Sequence, residues 1–188
     1  MMHNVKVSLF YRKEAIVPSD QINIWSWLML KDEYTSIVER LRKISDDEER
    51  KRLKKSLPAI TVSGIFSRRK GKTNLVKPSN LICVDIDGKD NPSISNMEKL
   101  KERLGKLSYI MYCGLSASGK GVFCIIPYED YRKHKLHFYA LEQDFKDMGI
   151  VVDSSCSDIC RLRFYSYDEH PYVNFDAEVY THTLDKSS

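Results

Sequence analysis

Residues 80–88 read NLICVDIDG. Leu81, Ile82, Cys83, Val84 and Ile86 form an apolar run without alternation, which predicts a central strand covered on both faces. The run stops abruptly in acids. Asp85 and Asp87 are two apart, so by the strand's period of two both carboxylates project from one face. Neighbouring carboxylates repel and raise each other's pKa unless a cation neutralises them. A site of hard oxygen ligands for Mg2+ or Mn2+ is the economical explanation. The plainer alternative makes Asp87 the first residue of an Asp87-Gly88 turn, and it leaves Asp85 in an apolar strand without a stated partner.

Working outward, residues 59–66 (AITVSGIF) read as a strand, and residues 5–11 (VKVSLFY) open the chain as another. After Pro18 and a Ser19-Asp20 start signal, apolar positions Trp27, Leu28, Leu30, Tyr34, Ile37, Val38, Leu41 and Ile44 repeat at three and four, which predicts helix from Ile22 onward. Asp46 is placed to cap a second helix that ends before Pro58. Downstream, SISNMEKLKERL predicts a helix over residues 93–104 with Gly105 as its stop, and residues 108–129 predict a β-hairpin around a small-residue turn. Residues 132–149 form a helical stretch ended by Gly149, and residues 150–153 (IVVD) a short strand.

Interleaved strands and helices predict an α/β (α+β) fold with one mixed sheet. The domain reading is a single unit over residues 1–188, with an N-terminal strand and helices over 1–57 and a core over 58–180. The polar tail THTLDKSS would suit a domain cut from a longer chain.

At 42% hydrophobic and 30% charged residues the composition is that of an ordinary globular protein, and no run approaches the roughly 18 apolar residues of a membrane span. No signal-peptide pattern opens the sequence, so the expectation is a cytoplasmic protein without a membrane partner. The five cysteines are an odd number, mostly inside apolar runs, and read as small core residues. Cys156 and Cys160 lie four apart, but no Cys or His pair completes a zinc set.

The net charge of +4 says less than its distribution. RLRKISDDEERKRLKKS carries both signs and reads as a solvated helix with paired charges on its exposed face. FSRRKGKTNLVK is nearly acid-free, and its Arg68, Arg69, Lys70 and Lys72 are candidates for touching a nucleic-acid backbone. A bland surface loop is the alternative.

Residues 114–123, GLSASGKGVF, imitate a phosphate-binding loop. That loop requires Ser or Thr after the lysine and a helix immediately downstream. Here Gly121 follows Lys120, and VFCIIP is a strand sequence. The second near-match, GKT at Gly71 to Thr73, has Phe66 where the leading glycine belongs. Both fail, which argues against an ATPase of that type. The turn still offers Ser116, Ser118, Gly119 and Lys120, whose hydroxyls, backbone N–H groups and cation suit phosphate oxygens; a hairpin turn with a solvated lysine is the alternative.

A third carboxylate for a phosphoryl-transfer centre comes best from Asp153, which ends a short apolar run. Asp158, Asp168 and Asp176 are weaker candidates by context. Arg161 and Arg163 share a face if DICRLRF is extended and could then clamp a phosphate or a template strand; if the segment is helical they diverge. Two-metal sites serve hydrolysis as well as transfer, so a phosphoesterase or nuclease stays open on residue types.

In their order, VDIDG, SASGKGVF and VVD resemble the three motifs of the archaeo-eukaryotic primase superfamily. More closely, LPAITVSGIFSRRK, LICVDIDG, GLSASGKGVFCIIP and VVDSSCSDICRLRFYSYD are similar to the BT4734-like branch, the N-terminal domain of VirE-type proteins. The resemblance covers residues 57–168.

It implies a primase-like fold with an N-terminal α/β unit and an RRM-like catalytic sheet, and divalent-metal-dependent nucleotidyl transfer in the replication of a mobile element. By the resemblance, Asp85, Asp87 and Asp153 hold Mg2+ or Mn2+, and Ser116, Ser118, Gly119, Lys120 and Arg161 approach a nucleoside triphosphate. Single-stranded DNA is the implied template, and a fused or associated helicase the implied partner. One departure stands out: where many superfamily members carry a histidine after the turn, this chain has Val122 and Phe123. His134 and His137 read as surface residues rather than substitutes. A non-catalytic DNA- or nucleotide-binding module that kept the fold is the alternative function.

Overall fold

The structure is a computed structural model that describes residues 4–69 and 71–186. Ten strands and five helices follow in the order β1 (Lys6–Phe10), β2 (Asp20–Asn23), α1 (Ile24–Leu28), α2 (Glu33–Lys43), α3 (Asp47–Lys54), β3 (Ala59–Thr61), β4 (Gly64–Phe66), β5 (Leu75–Pro78), β6 (Leu81–Asp87), α4 (Met97–Leu104), β7 (Tyr112–Leu115), β8 (Gly121–Pro127), α5 (His134–Asp147), β9 (Leu162–Phe164) and β10 (Tyr172–Val173).

The expected mixed sheet is corrected. Two four-stranded sheets form instead, ordered β2-β1-β3-β9 and β10-β7-β8-β6, with β4-β5 as a separate ribbon. Every strand pairing is antiparallel, and the parallel contact among the described residues is an isolated bridge between Tyr128 and Tyr180. The reason lies in the connections: β6 and β7 are joined through α4 as a crossover, but β8 inserts between them and runs against both.

That order also moves β6 from the expected centre to the end of its sheet. Its pairing partner is β8, from Leu81 opposite Pro127 to Asp87 opposite Gly121. Both faces are nevertheless covered, as the apolar run predicts. Ile82, Val84 and Ile86 join Cys113, Cys124 and Ile126 under α4 and α5, in a cluster with Leu100, Leu104, Phe138, Leu141 and Phe145. Leu81 and Cys83 face the other way, with Tyr112, Phe123 and Ile125, toward Val7, Leu9, Ile60, Trp27, Val38 and Leu41. Each such side chain contributes about 1.5–3 kcal/mol on full burial. Asp85 and Asp87 belong to this second face, at the strand end where the cover opens.

In the N-terminal part the helical periodicity holds from Ile24, while residues 20–23 form β2 against β1. Asn23 therefore caps α1, its carboxamide oxygen accepting from the N–H groups of Trp25 and Ser26 at 2.9 and 3.2 Å. Asp32 and Thr35 form a capping box that starts α2. As expected, Asp46 caps α3 by accepting from the Glu49 N–H at 2.6 Å, and α3 buries no residue. The 59–66 stretch is broken into β3 and β4 by a turn at Val62 and Ser63, and Gly64 opens β4 with a φ of +145°.

Candidate functional site

A cleft of about 350 Å³ opens between the ends of β6, β9 and the 116–118 turn. Asp85, Asp87, Ser116, Ser118, Asp153, Arg161 and Arg163 all line it, with Lys13, Lys54, Arg69 and Asp158. These seven residues, separated by up to 78 positions in sequence, are thus drawn to one place by two sheets.

Asp85 and Asp87 project from one face of β6, as the period of two requires: Ile82, Val84 and Ile86 are buried, while Cys83, Asp85 and Asp87 are partly open. Asp153 arrives from the segment after α5, beside the free edge of β6, where its N–H donates to the Asp85 carbonyl at 2.8 Å. The short strand expected over residues 150–153 does not form, although Asp153 itself is extended. One Asp153 oxygen accepts from the Ser155 N–H at 2.9 Å and the Ser155 hydroxyl at 2.6 Å. The other accepts from Arg161 Nη2 at 2.9 Å. Burial opposes the Asp153 charge, but the Ser155 bonds and the Arg161 guanidinium outweigh it and hold the carboxyl below its ordinary value.

Arg161 and Arg163 do share a face, because β9 is extended. They are occupied by carboxylates: Arg163 Nη1 donates to Asp85, and Arg161 to Asp153. The Arg163 guanidinium also lies over the Phe123 ring, 3.7 Å from its centroid, while its Nε is buried without a hydrogen-bond partner. Burial disfavours the Arg163 charge, but Asp85 together with Cys83, Cys156 and Tyr112 more than restores it, and the net effect is a raised pKa.

Asp85, Asp153 and Cys156 bring one potential ligand atom each to within 4.8 Å of one another; Asp87 lines the cleft outside that group. Two carboxylates so placed fit a hard divalent cation. Cys156, which reads in the sequence as a small core residue without a Cys or His pair to complete a zinc set, is buried, and burial pushes its thiol up to about 12.

The 116–121 turn is a closed hairpin end. Ser116 N–H donates to Gly121 carbonyl at 2.8 Å, Gly119 N–H to Ser116 carbonyl at 2.8 Å, and the two serine hydroxyls are 3.2 Å apart. Gly119 holds φ +69°, and Gly121 lies so close to β6 that a Cβ would meet the Ile86 carbonyl oxygen at 2.5 Å. Ser116 and Ser118 face the cleft, whereas Gly119 and Lys120 stand outside its lining, with Lys120 exposed.

Sequence reasoning missed what holds this turn. Arg42, from the stretch read as a solvated helix, donates through Nη2 to the carbonyls of Ser116 at 3.2 Å and Tyr167 at 2.5 Å. The signal was present, since Arg42 stands four residues after buried Val38. Asp168 accepts from the Leu115 N–H at 2.8 Å and from buried Lys101 at 2.6 Å, so it anchors the turn rather than joining the acids.

Of the basic loop, Arg69 reaches the cleft while donating to the Lys13 carbonyl, Arg68 is exposed away from it, and Lys72 lines a neighbouring groove. Lys70 lies outside the described residues. Lys54 extends its ammonium into the cleft although the residue is largely exposed, and desolvation followed by the Arg163 charge lowers its pKa. His134 and His137 correct the expectation of surface residues: both are buried, at 5% and 0% exposure, under Tyr128. The helix that carries them turns these positions inward.

The fold and cleft define a mixed α/β domain with antiparallel sheets and an acid-and-arginine site at the end of one of them. The chain belongs to the family described as BT4734-like, N-terminal domain, which matches residues 52–173. It is also 35% identical over 108 residues to an N-(5′-phosphoribosyl)anthranilate isomerase of Acetivibrio thermocellus, covering 55% of this chain and 45% of that protein. The chain thus spans less than half the length of that relative. No solved structure matches. No helix among the described residues is long and apolar enough to cross a membrane.

Proposed function

We propose that this chain is a divalent-metal-dependent nucleotidyltransferase of the primase-polymerase kind, starting or extending a strand on a single-stranded DNA template in mobile-element replication. A helicase is its proposed associate. The observation that carries the reading is the meeting of Asp85 and Asp153 from two separate segments, joined by the Asp153 N–H to Asp85 carbonyl bond, in a cleft that Asp87, Ser116 and Ser118 also line. The succession β6–α4–β7–β8–α5 supports it, because that order accords with the RRM-like sheet implied by the resemblance.

Asp85 and Asp153 would hold Mg2+ or Mn2+, with Asp87 adding a carboxylate from the same strand face. Such ions, when bound, activate an attacking 3′-hydroxyl and neutralise charge on a leaving pyrophosphate. The chain's own groups bind and orient: the Ser116 and Ser118 hydroxyls donate to phosphate oxygens, and Arg161, at 43% side-chain exposure, offers its guanidinium to the triphosphate. Phe123 cannot hydrogen-bond, so the histidine's work falls to these cations and hydroxyls.

One observation favours a second reading. Asp85 and Asp153 are already neutralised by Arg163 and Arg161, as expected of a non-catalytic DNA- or nucleotide-binding module. Nucleotide incorporation on a primed single-stranded template with Mn2+ or Mg2+ separates the two. Incorporation that disappears in Asp85→Ala/Asp87→Ala supports the transferase; incorporation that survives it sinks that reading, and salt-sensitive DNA binding with no incorporation selects the module.

A further inference from the structure

A second groove of about 540 Å³ adjoins the acid cleft and shares Asp158 and Cys160 with it as a common wall. One side comes from Lys72 and Thr73 in the loop before β5 and from Leu75 at its first position. The other comes from the turn before α5 and the start of that helix, through Tyr131, Arg132 and Lys135. Its floor is apolar, from Leu75, Ile159 and the half-buried Tyr131 ring; its rim is cationic.

Arg132 is tied to Asp130, with Nε at 2.8 Å from one carboxylate oxygen and Nη2 at 3.2 Å from the other. Among the described residues Lys72 and Lys135 have no carboxylate partner, and both are exposed. The cationic rim continues into the acid cleft through Lys13, Arg69 and Lys54.

Lys135 lies over the Tyr139 ring at 5.5 Å, a contact that leaves its charge without a counter-ion. An apolar, aromatic floor edged by lysines without carboxylate partners is the pattern that receives single strands: phosphates take the cations and base faces take the ring. A free mononucleotide would need a closed pocket with convergent polar groups, whereas this groove is open and runs on toward the acids. We infer that this groove is the track for a single-stranded nucleic acid, which passes between Lys72 and Lys135 over Tyr131 and reaches the acid cleft at Asp158. The inference rests on the nucleic-acid substrate proposed above, and it gives that substrate a path across residues the motif resemblance did not include, Tyr131 and Lys135.

The test is fluorescence anisotropy with labelled dT20 and rU20 across a salt series, without metal or nucleotide, so that it reads strand binding and not transfer. Lys72→Glu/Lys135→Glu should weaken binding at least tenfold and flatten the log–log salt slope by about 1.4, since each phosphate contact on a single strand contributes about 0.7. Tyr131→Ala should weaken binding at least about fivefold and leave the slope unchanged. Lys99→Glu/Lys106→Glu, on and just after α4, changes the net charge equally and should bind nearly as tightly as the unaltered chain. Preference for dT20 or rU20 tells which strand is carried.

The inference is overturned if the two charge-reversal pairs weaken binding equally, if the groove pair binds like the unaltered chain, or if the unaltered chain binds neither strand. Strand binding through the groove without nucleotide incorporation would leave this inference standing while the transferase reading fails.

Discussion

The Arg163 guanidinium lies 3.7 Å above the Phe123 ring. Phe123 is 2% exposed and stacks at 5.3 Å against Tyr112. The residue that stands where the resemblance leads one to expect a histidine is therefore a floor for a cation, and the cation on that floor holds Asp85. Phe123→Leu keeps most of the volume but loses the ring, so a cost of about 1–2 kcal/mol is expected. Phe123→Ala adds a cavity and should cost about 3–5 kcal/mol. Urea denaturation of the two variants checks this; equal losses would mean that the ring carries no packing role.

Removing Arg163 leaves the Asp85 carboxylate in a nearly enclosed site without its counter-charge, since the two side chains are 11% and 17% exposed. Arg163→Met should lower stability at neutral pH by about 3–5 kcal/mol, and Asp85→Asn in the same chain should restore part of it. A double-mutant cycle by denaturation reads the coupling. Additive losses would show that the two groups do not depend on each other.

His134 gives the protein a pH signature. Its Nε2 is 3.3 Å from the Cys156 carbonyl, which can only accept, so the neutral ring carries its proton there and Nδ1 accepts from the Tyr128 hydroxyl at 3.0 Å. Burial lowers its pKa from 6.5 to about 4. The unfolded chain binds that proton first, so the stability is complete above pH 6.5 and is lost as pH falls toward 4, by about 3 kcal/mol in all. Below that window a further loss follows as Asp153 and Asp168, both held under the ordinary carboxylate value, take up protons. Denaturation midpoints from pH 7 to 4 should fall for the unaltered chain and stay flatter for His134→Gln. Parallel curves would refute the assignment.

Local signals carried the strand and helix limits well where chemistry marks an end: Asp46 capping α3, Gly105 after α4 and Gly149 after α5 stand where the sequence puts them. The facing of Asp85 and Asp87 followed from the period of two alone. The order of strands did not, because nothing in β6 states that β8 will insert between it and β7. Long-range supports were equally hidden. Lys101 and Asp168 are 67 residues apart, and neither sequence neighbourhood advertises the buried ion pair they make. Arg161 and Arg163 were legible as a pair, but a sequence cannot say that each is met by a carboxylate from another segment.

The Lys101–Asp168 pair bears on the serine turn, because Asp168 also accepts from the Leu115 N–H one residue before it. Both side chains are 4% exposed, so Lys101→Met strands a buried carboxylate and should cost about 3–5 kcal/mol. The turn should loosen with it. Amide hydrogen exchange at Leu115 and Gly119 is expected to accelerate more than exchange in α2, and uniform acceleration would mean a global loss of stability with no particular hold on the turn.

Divalent ions provide the last prediction, which reads binding without reading catalysis. An ion at Asp85 and Asp153 competes with Arg163 and Arg161 for the same carboxylates, so the unaltered chain should gain little thermal stability at low Mn2+ and more as the ion concentration rises. Arg161→Gln removes the more exposed competitor, at 43% against 11% side-chain exposure, and should shift that titration to lower Mn2+. Asp153→Asn should abolish the ion-dependent gain while leaving Arg163 on Asp85. Titrations of melting temperature against Mn2+, with Ca2+ as a second hard cation, check all three chains. If Arg161→Gln and Asp153→Asn both titrate like the unaltered chain, the carboxylates of this cleft are committed to their arginines and hold no ion.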